Sequence, residues 1–427
     1  MTFTSPSSPQ ICSLRPSFEP PTICEETGRC VLGRFRKPGW FRGYIEKTEH
    51  IPEDIKDLYR NIRSAKSGRR HIMPHEVRSR MKADVGDPDD DWFRNPGQEQ
   101  ATGVGPTTQE ANALATYSSL CKIIDETVAS SQLNRGVCGW NNMVHTPILD
   151  CVFGRSPSDR EPKMEGSQKP VVARFEVVPE ATIVGTAIPL WHISSLDYVP
   201  KIPFNPSQPR AACSVSVNSS VFQRPDGCSI NSDDRAAALS RADLHEVHSR
   251  RKSKKVDYVL VMEISCEDPL YQVIKHVTFY DGSVNQTSAP CLWRNPIAVS
   301  IAAKPDSGED PLIRLGIWTA AWHKRMETLR ERLFPTTPLS YLAAPTVATP
   351  PKLVSLPLIV INNENWDMYF ACDSGRSIDI HGPIRIVYYT RNIIDLYVLI
   401  TCLEYVKEWI ETTFDKAMRA WFLEGSK

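Results

Sequence analysis

Lys254-Lys255-Val256-Asp257-Tyr258-Val259-Leu260-Val261-Met262 is a basic step into an apolar run with one carboxylate near its start. Further on, Pro296-Ile297-Ala298-Val299-Ser300-Ile301-Ala302-Ala303-Lys304 is a second run, rich in β-formers and ending in a lysine. Both read as strands. Side chains alternate along a strand, so Ser300, Ala302 and Lys304 share one face while Ala303 points to the other.

Downstream, residues 310–333 read as a long helix whose apolar stripe runs Leu315, Trp318, Trp322, Met326, Leu329, Leu333. An aromatic stripe at that spacing belongs in a core. Residues 356–361 and 367–371 add two strands, and 391–414 an amphipathic closing helix. Upstream, residues 109–131 predict a helix with Leu114, Tyr117, Leu120, Ile124 and Val128 on one face, and 140–152 predict another. Short β segments fall at 174–178 and 181–184, separated by Pro179. Helices and strands alternate, which is the pattern of an α/β domain.

This domain is expected over 106–424, interrupted by a loop insertion at about 200–250 rich in Pro, Ser, Asn and Arg. Residues 1 to about 105 read as a poorly ordered N-terminal region of Pro, Ser, Arg and Asp. Within it, Ile51, Ile55, Leu58 and Ile62 sit at the spacing of one short helix, and Asp87 to Asp91 form an acidic, turn-rich cluster that reads as a solvated loop.

The chain of 427 residues is long enough for a large core, and its 41% hydrophobic and 23% charged residues are those of a globular protein. Lys+Arg and Asp+Glu both number 50, so no overall basicity points to nucleic acid. No apolar segment predicts a signal peptide or a bilayer span, and no membrane role is expected. The 12 cysteines lack zinc spacing and read as reduced thiols of an intracellular protein. The densest positive run holds Arg250, Arg251, Lys252, Lys254 and Lys255, just before the Asp257 strand. Three readings stand for it: a grip on a nucleic-acid backbone, a nuclear-import patch, or a solvated loop.

Five segments in order resemble a fungal family of PD-(D/E)XK nuclease-like proteins. They are Trp140-Asn141-x-x-Val144-His145-x-Pro147-Ile148-Leu149, then Val256-Asp257-Tyr258, then the run from Pro296 to Lys304. Gly308-Glu309-Asp310 and Leu315-Gly316-Ile317-Trp318-x-Ala320-Ala321-Trp322 complete the set. The resemblance covers roughly residues 109–422. It implies a restriction-endonuclease-like core, a central mixed sheet of about four strands flanked by helices, and descent from metal-dependent phosphodiesterases.

By the same resemblance Asp257 is the family's first acid and metal ligand, Lys304 its lysine, and Mg²⁺ the cofactor of an active member. The Glu of the Glu-x-Lys pattern falls on Ala302, and a methyl cannot coordinate an ion. The acid often carried by the first helix falls near Met143, and a Gln of the later helix falls on Arg314. Glu263 shares parity with Asp257 but lies about 20 Å further along the strand. Glu309 and Asp310 stand at the start of the long helix, where capping is the ordinary role of an acid and metal ligation the alternative. His145 is either a packing residue or a ligand. The expected function is therefore a nuclease-like protein with a degenerate metal site, binding nucleic acid or a protein partner without cleavage and needing no cofactor. The alternatives are an active Mg²⁺-dependent nuclease with a relocated acid, and an interaction module that kept only the fold.

Overall fold

The computed structural model describes residues 40–43, 51–95, 106–154, 171–184, 187, 255–279, 282–304, 310–334, 352–375 and 377–424. The insertion expected at about 200–250, most of the basic run and Glu309 lie outside them.

The strands are β1 (Trp40–Gly43), β2 (Val171–Val177), β3 (Tyr258–Ile264), β4 (Ile297–Ala303), β5 (Leu356–Asn362), β6 (Asn365–Asp373) and β7 (Ile378–Val387). They form one seven-stranded sheet in the order β1-β7-β6-β5-β4-β3-β2. The helices are α1 (Glu53–Gly68), α2 (Arg78–Val85), α3 (Pro106–Gln132), α4 (Val137–Trp140), α5 (Thr146–Phe153), α6 (Pro269–Val277), α7 (Pro311–Leu333), α8 (Ile393–Trp409) and α9 (Asp415–Leu423).

β2, β3 and β4 form an antiparallel meander, and β5 lies parallel to β4. A parallel neighbour requires a long crossover, which α7 supplies. These four strands are the expected mixed core. The sheet is larger than expected because β6 and β7 continue from β5 as antiparallel neighbours and β1 joins β7 in parallel. β7 is hard to read from sequence because Gly382-Pro383 interrupts it, and proline normally disfavours a strand interior. Here the β6–β7 register shifts between Met368 and Phe370, so the interruption sits at an irregularity. Gly382 has φ +135°, and a Cβ there would come within 2.8 Å of the Tyr369 ring.

Alternation divides the core between two faces of the sheet. Val259, Val261, Ala302, Leu358 and Val360 pack with Leu315 and Trp318 of α7. Tyr258, Leu260, Met262, Ile301, Ile359 and Ile361 belong to the other cluster, with residues of α1, α3, α5 and α8. Strands covered on both faces carry apolar residues without a break, which is how β3 and β4 read. α7 starts where Asp310 accepts from the Leu312 amide at 2.9 Å with Pro311 at the first helical position. The stripe from Leu315 to Leu329 is buried as expected.

Residues 51–95 depart from the expectation of a poorly ordered N-terminal region. Ile55, Leu58, Tyr59 and Ile62 of α1 are buried, as are Ile72, Met73, Val77, Met81 and Phe93 after it. α1 packs against α8. Asp54 accepts from the Ser355 amide at 2.6 Å, while its carbonyl accepts from Trp409 Nε1 at 2.7 Å. The short runs of apolar periodicity concealed this packing, because each element buries only one narrow stripe. The acidic loop is solvated: Asp87, Asp90 and Asp91 make exposed ion pairs with Lys82, Arg78 and Arg70. In α3 the buried line runs Ala113, Tyr117, Leu120 and Ile123, with Leu114 37% exposed, so the face is turned from the one expected. Among the described residues no helix is long and apolar enough to cross a membrane.

Candidate functional site

β3 and β4 are adjacent and antiparallel, with Tyr258 opposite Ile301, which sets Asp257 beside the last residues of β4. The Asp257 amide donates to the Ile301 carbonyl at 3.0 Å, and its own carbonyl accepts from the Val178 amide at 2.9 Å. Its carboxylate then takes the next place in the ladder: Oδ2 accepts from the Ala303 amide at 2.8 Å. Asp257 thus ties three strands together at their ends, besides carrying charge.

Two further groups converge on this carboxylate. Asn141 Nδ2 donates to Oδ1 at 3.3 Å, and Arg314 Nη1 lies 3.7 Å from Oδ2. The same guanidinium donates through Nη2 to the Ala303 carbonyl and through Nη1 to the Lys255 carbonyl at 3.5 Å. Both side chains are mostly sequestered, Arg314 12% and Asp257 15% exposed. Burial raises the Asp257 carboxyl above its ordinary value, and the Ala303 amide, Arg314 and Asn141 act against that shift.

Asn141 reaches the site from a π turn, Asn141–His145, between α4 and α5. A π turn adds a residue to the helical repeat and changes which side chains face the sheet. Met143, where the resemblance placed the helix's acid position, is 39% exposed and lines an open groove of about 1090 Å³ between α3 and α5. Asn141 faces Asp257 instead, and its carbonyl accepts from the Tyr258 hydroxyl at 3.0 Å.

His145 is buried behind Asn141. Its Nδ1 lies 2.9 Å from Asn141 Oδ1 and its Nε2 2.8 Å from the Asn363 carbonyl, while Trp140 stacks on the ring. Both nitrogens lie against Asn141 and Asn363 inside the core, so His145 packs behind the site. Burial lowers it to about 4, so it is neutral near pH 7.

Lys304 ends β4 exposed, its amide donating to the Ile361 carbonyl at 2.7 Å. Ala302 is fully buried on the α7 side of the sheet, so it offers neither a donor atom nor an opening. Asp310 is engaged as the α7 cap. Glu263 pairs with Arg174 at 3.2 Å, on a neighbouring strand and away from Asp257. Of the basic run, Lys255 is described, and it pairs with exposed Glu180 at 3.0 Å. Among the described residues no group of three His, Cys, Asp or Glu side chains converges as a metal site would require.

A divalent ion of the Mg²⁺ kind needs several oxygen ligands held in near-octahedral order. Asp257 and the Ala303 carbonyl are two such oxygens, and Arg314 already bridges them. The described residues therefore do not fit the ion. The sequence signals for Asn141 and Arg314 were a polar pair four residues apart on a helix and an arginine one turn into α7. Neither carries meaning until the sheet order sets both against Asp257.

A mixed sheet that sets a carboxylate at the start of one strand beside a lysine at the end of its neighbour is the arrangement the resemblance implies. Residues 78–415 match the family model of the PD-(D/E)XK nuclease superfamily, and the chain belongs to that superfamily. The match starts at α2, inside the region that sequence alone assigned to a poorly ordered N-terminus. No curated protein and no solved structure matches the chain.

Proposed function

We propose that this is a PD-(D/E)XK-fold protein that holds nucleic acid without cutting it, its ancestral cation position filled by Arg314. One observation carries the reading. The guanidinium spans Asp257 Oδ2 and the Ala303 carbonyl, the two oxygens that would otherwise face an ion. A tethered cation balances the charge of Asp257 but cannot lower the pKa of a bound water or open a coordination site to a phosphate, which is what a catalytic metal contributes. Ala302 withholds the second carboxylate, and the resemblance-derived lysine, Lys304, has no activated water to assist.

The test is a cleavage assay on single- and double-stranded DNA and RNA with Mg²⁺ and Mn²⁺. Wild type and Asp257→Ala are expected to be equally inert. Robust metal-dependent cleavage by wild type that disappears in Asp257→Ala would mean that an acid elsewhere completes the site, and the reading would fall. Protein binding with no affinity for any nucleic acid would leave an interaction module on a nuclease fold.

A further inference from the structure

The ends of β4 at Lys304, β5 at Asn362 and β7 at Val387, and the starts of β3 and β6, lie along one rim of the sheet. The pairings Tyr258 with Ile301, Ala303 with Ile361, Asn362 with Asn365, and Trp366 with Val387 place them there. At about 4.8 Å per strand, the rim runs about 19 Å from Asp257 to the end of β7. There it carries two successive aromatics, Tyr388 and Tyr389, 55% and 62% exposed. Scattered exposed apolar residues are ordinary, but two neighbouring rings beside cations are not.

Lys66 Nζ stands 5.9 Å and Arg385 Cζ 5.0 Å from the centroid of the Tyr388 ring. These cation–π contacts hold Tyr388 in place. They give no reason for Tyr389 to face solvent. Arg385 and Arg391 are neutralised by Asp367 and Glu364. Lys66, exposed on the last turn of α1, has no carboxylate partner among the described residues, whereas Arg63 one turn earlier donates to the Tyr59 hydroxyl at 3.2 Å. The rim therefore offers flat rings next to uncompensated positive charge.

We infer that the Tyr388–Tyr389 end of this rim is a stacking platform for single-stranded nucleic acid, with Lys66 meeting its phosphates. Exposed rings stack on bases of any identity, whereas a duplex keeps its base faces against one another. The inference rests on the non-cutting reading above and supplies its partner and contact surface.

The test measures binding of short labelled single-stranded DNA and RNA and of a matched duplex by fluorescence anisotropy, with a chelator present so that cleavage plays no part. The single strand is expected to bind tighter than the duplex. The double variant Tyr388→Ala/Tyr389→Ala should weaken binding by about tenfold or more, and Tyr388→Phe/Tyr389→Phe should retain it. Lys66→Glu should weaken it and flatten its salt dependence. Single-strand binding that is indifferent to loss of both rings, or equalled by the duplex, overturns the platform while leaving the non-cutting reading standing. Absence of any nucleic-acid binding overturns the platform and the binding half of that reading, and leaves the cleavage assay to decide the other half.

Discussion

Arg314 and Asp257 are each mostly removed from water, so each depends on the other for its charge balance. Arg314→Gln leaves the carboxylate with only the Ala303 amide and Asn141, and is expected to destabilise the fold by about 2–3 kcal/mol, less than a wholly buried pair would. The Asp257 carboxyl, already raised by burial, then rises further. A folded-state value above the unfolded one means that the folded protein holds more protons in the window just above the ordinary carboxylate range. Stability of Arg314→Gln should therefore fall more steeply than that of wild type as pH rises through that window, read from urea midpoints. Parallel curves would mean that the arginine does not govern the charge of Asp257.

His145 runs the opposite way. Its value falls from 6.5 to about 4 on burial, so the unfolded chain takes up the proton first. Its contribution is fully present above about 6.5 and is lost as pH drops toward 4, about 3 kcal/mol in all. His145→Gln cannot titrate and should lose less stability than wild type over that interval. His323 in α7 is also lowered to about 4 and remains in both proteins, so the comparison isolates His145.

At the scale of elements, α1 is part of the core. Ile62 is fully buried, and Ile62→Ala should cost about 2–5 kcal/mol, measured by chemical unfolding. An exposed helix would respond by only a few tenths. Limited proteolysis should spare residues 53–85 for as long as the sheet stays folded, because Asp54 joins α1 to both β5 and α8. Early cleavage within α1 that leaves a stable remainder would show that the helix is dispensable. The π turn at Asn141–His145 is the other element that matters for the site, since it turns Asn141 toward Asp257 and His145 into the core.

Across the whole molecule, the runs at β3, β4 and β5 and the stripe of α7 determined by themselves that this is an α/β protein, and the ordered segments from Trp140 to Trp322 pointed to its family. Strands and helices buried over long, regular runs write their period directly into the sequence. The face that Ala302 takes and the capping role of Asp310 were legible for the same reason, since strand parity and helix starts are local properties. What surrounds Asp257 was not local. Asn141 lies 116 residues away from it in the chain, and Arg314 belongs to the crossover helix. β7 was hidden by Gly382-Pro383, whereas the helical spacing of α1 was legible and only its burial against the core was not. Only the tertiary structure could decide that an arginine stands beside the carboxylate, because that contact exists once β3, β4 and α7 have folded against one another. Charge balance in a buried site is settled by neighbours in space, and sequence records only neighbours along the chain.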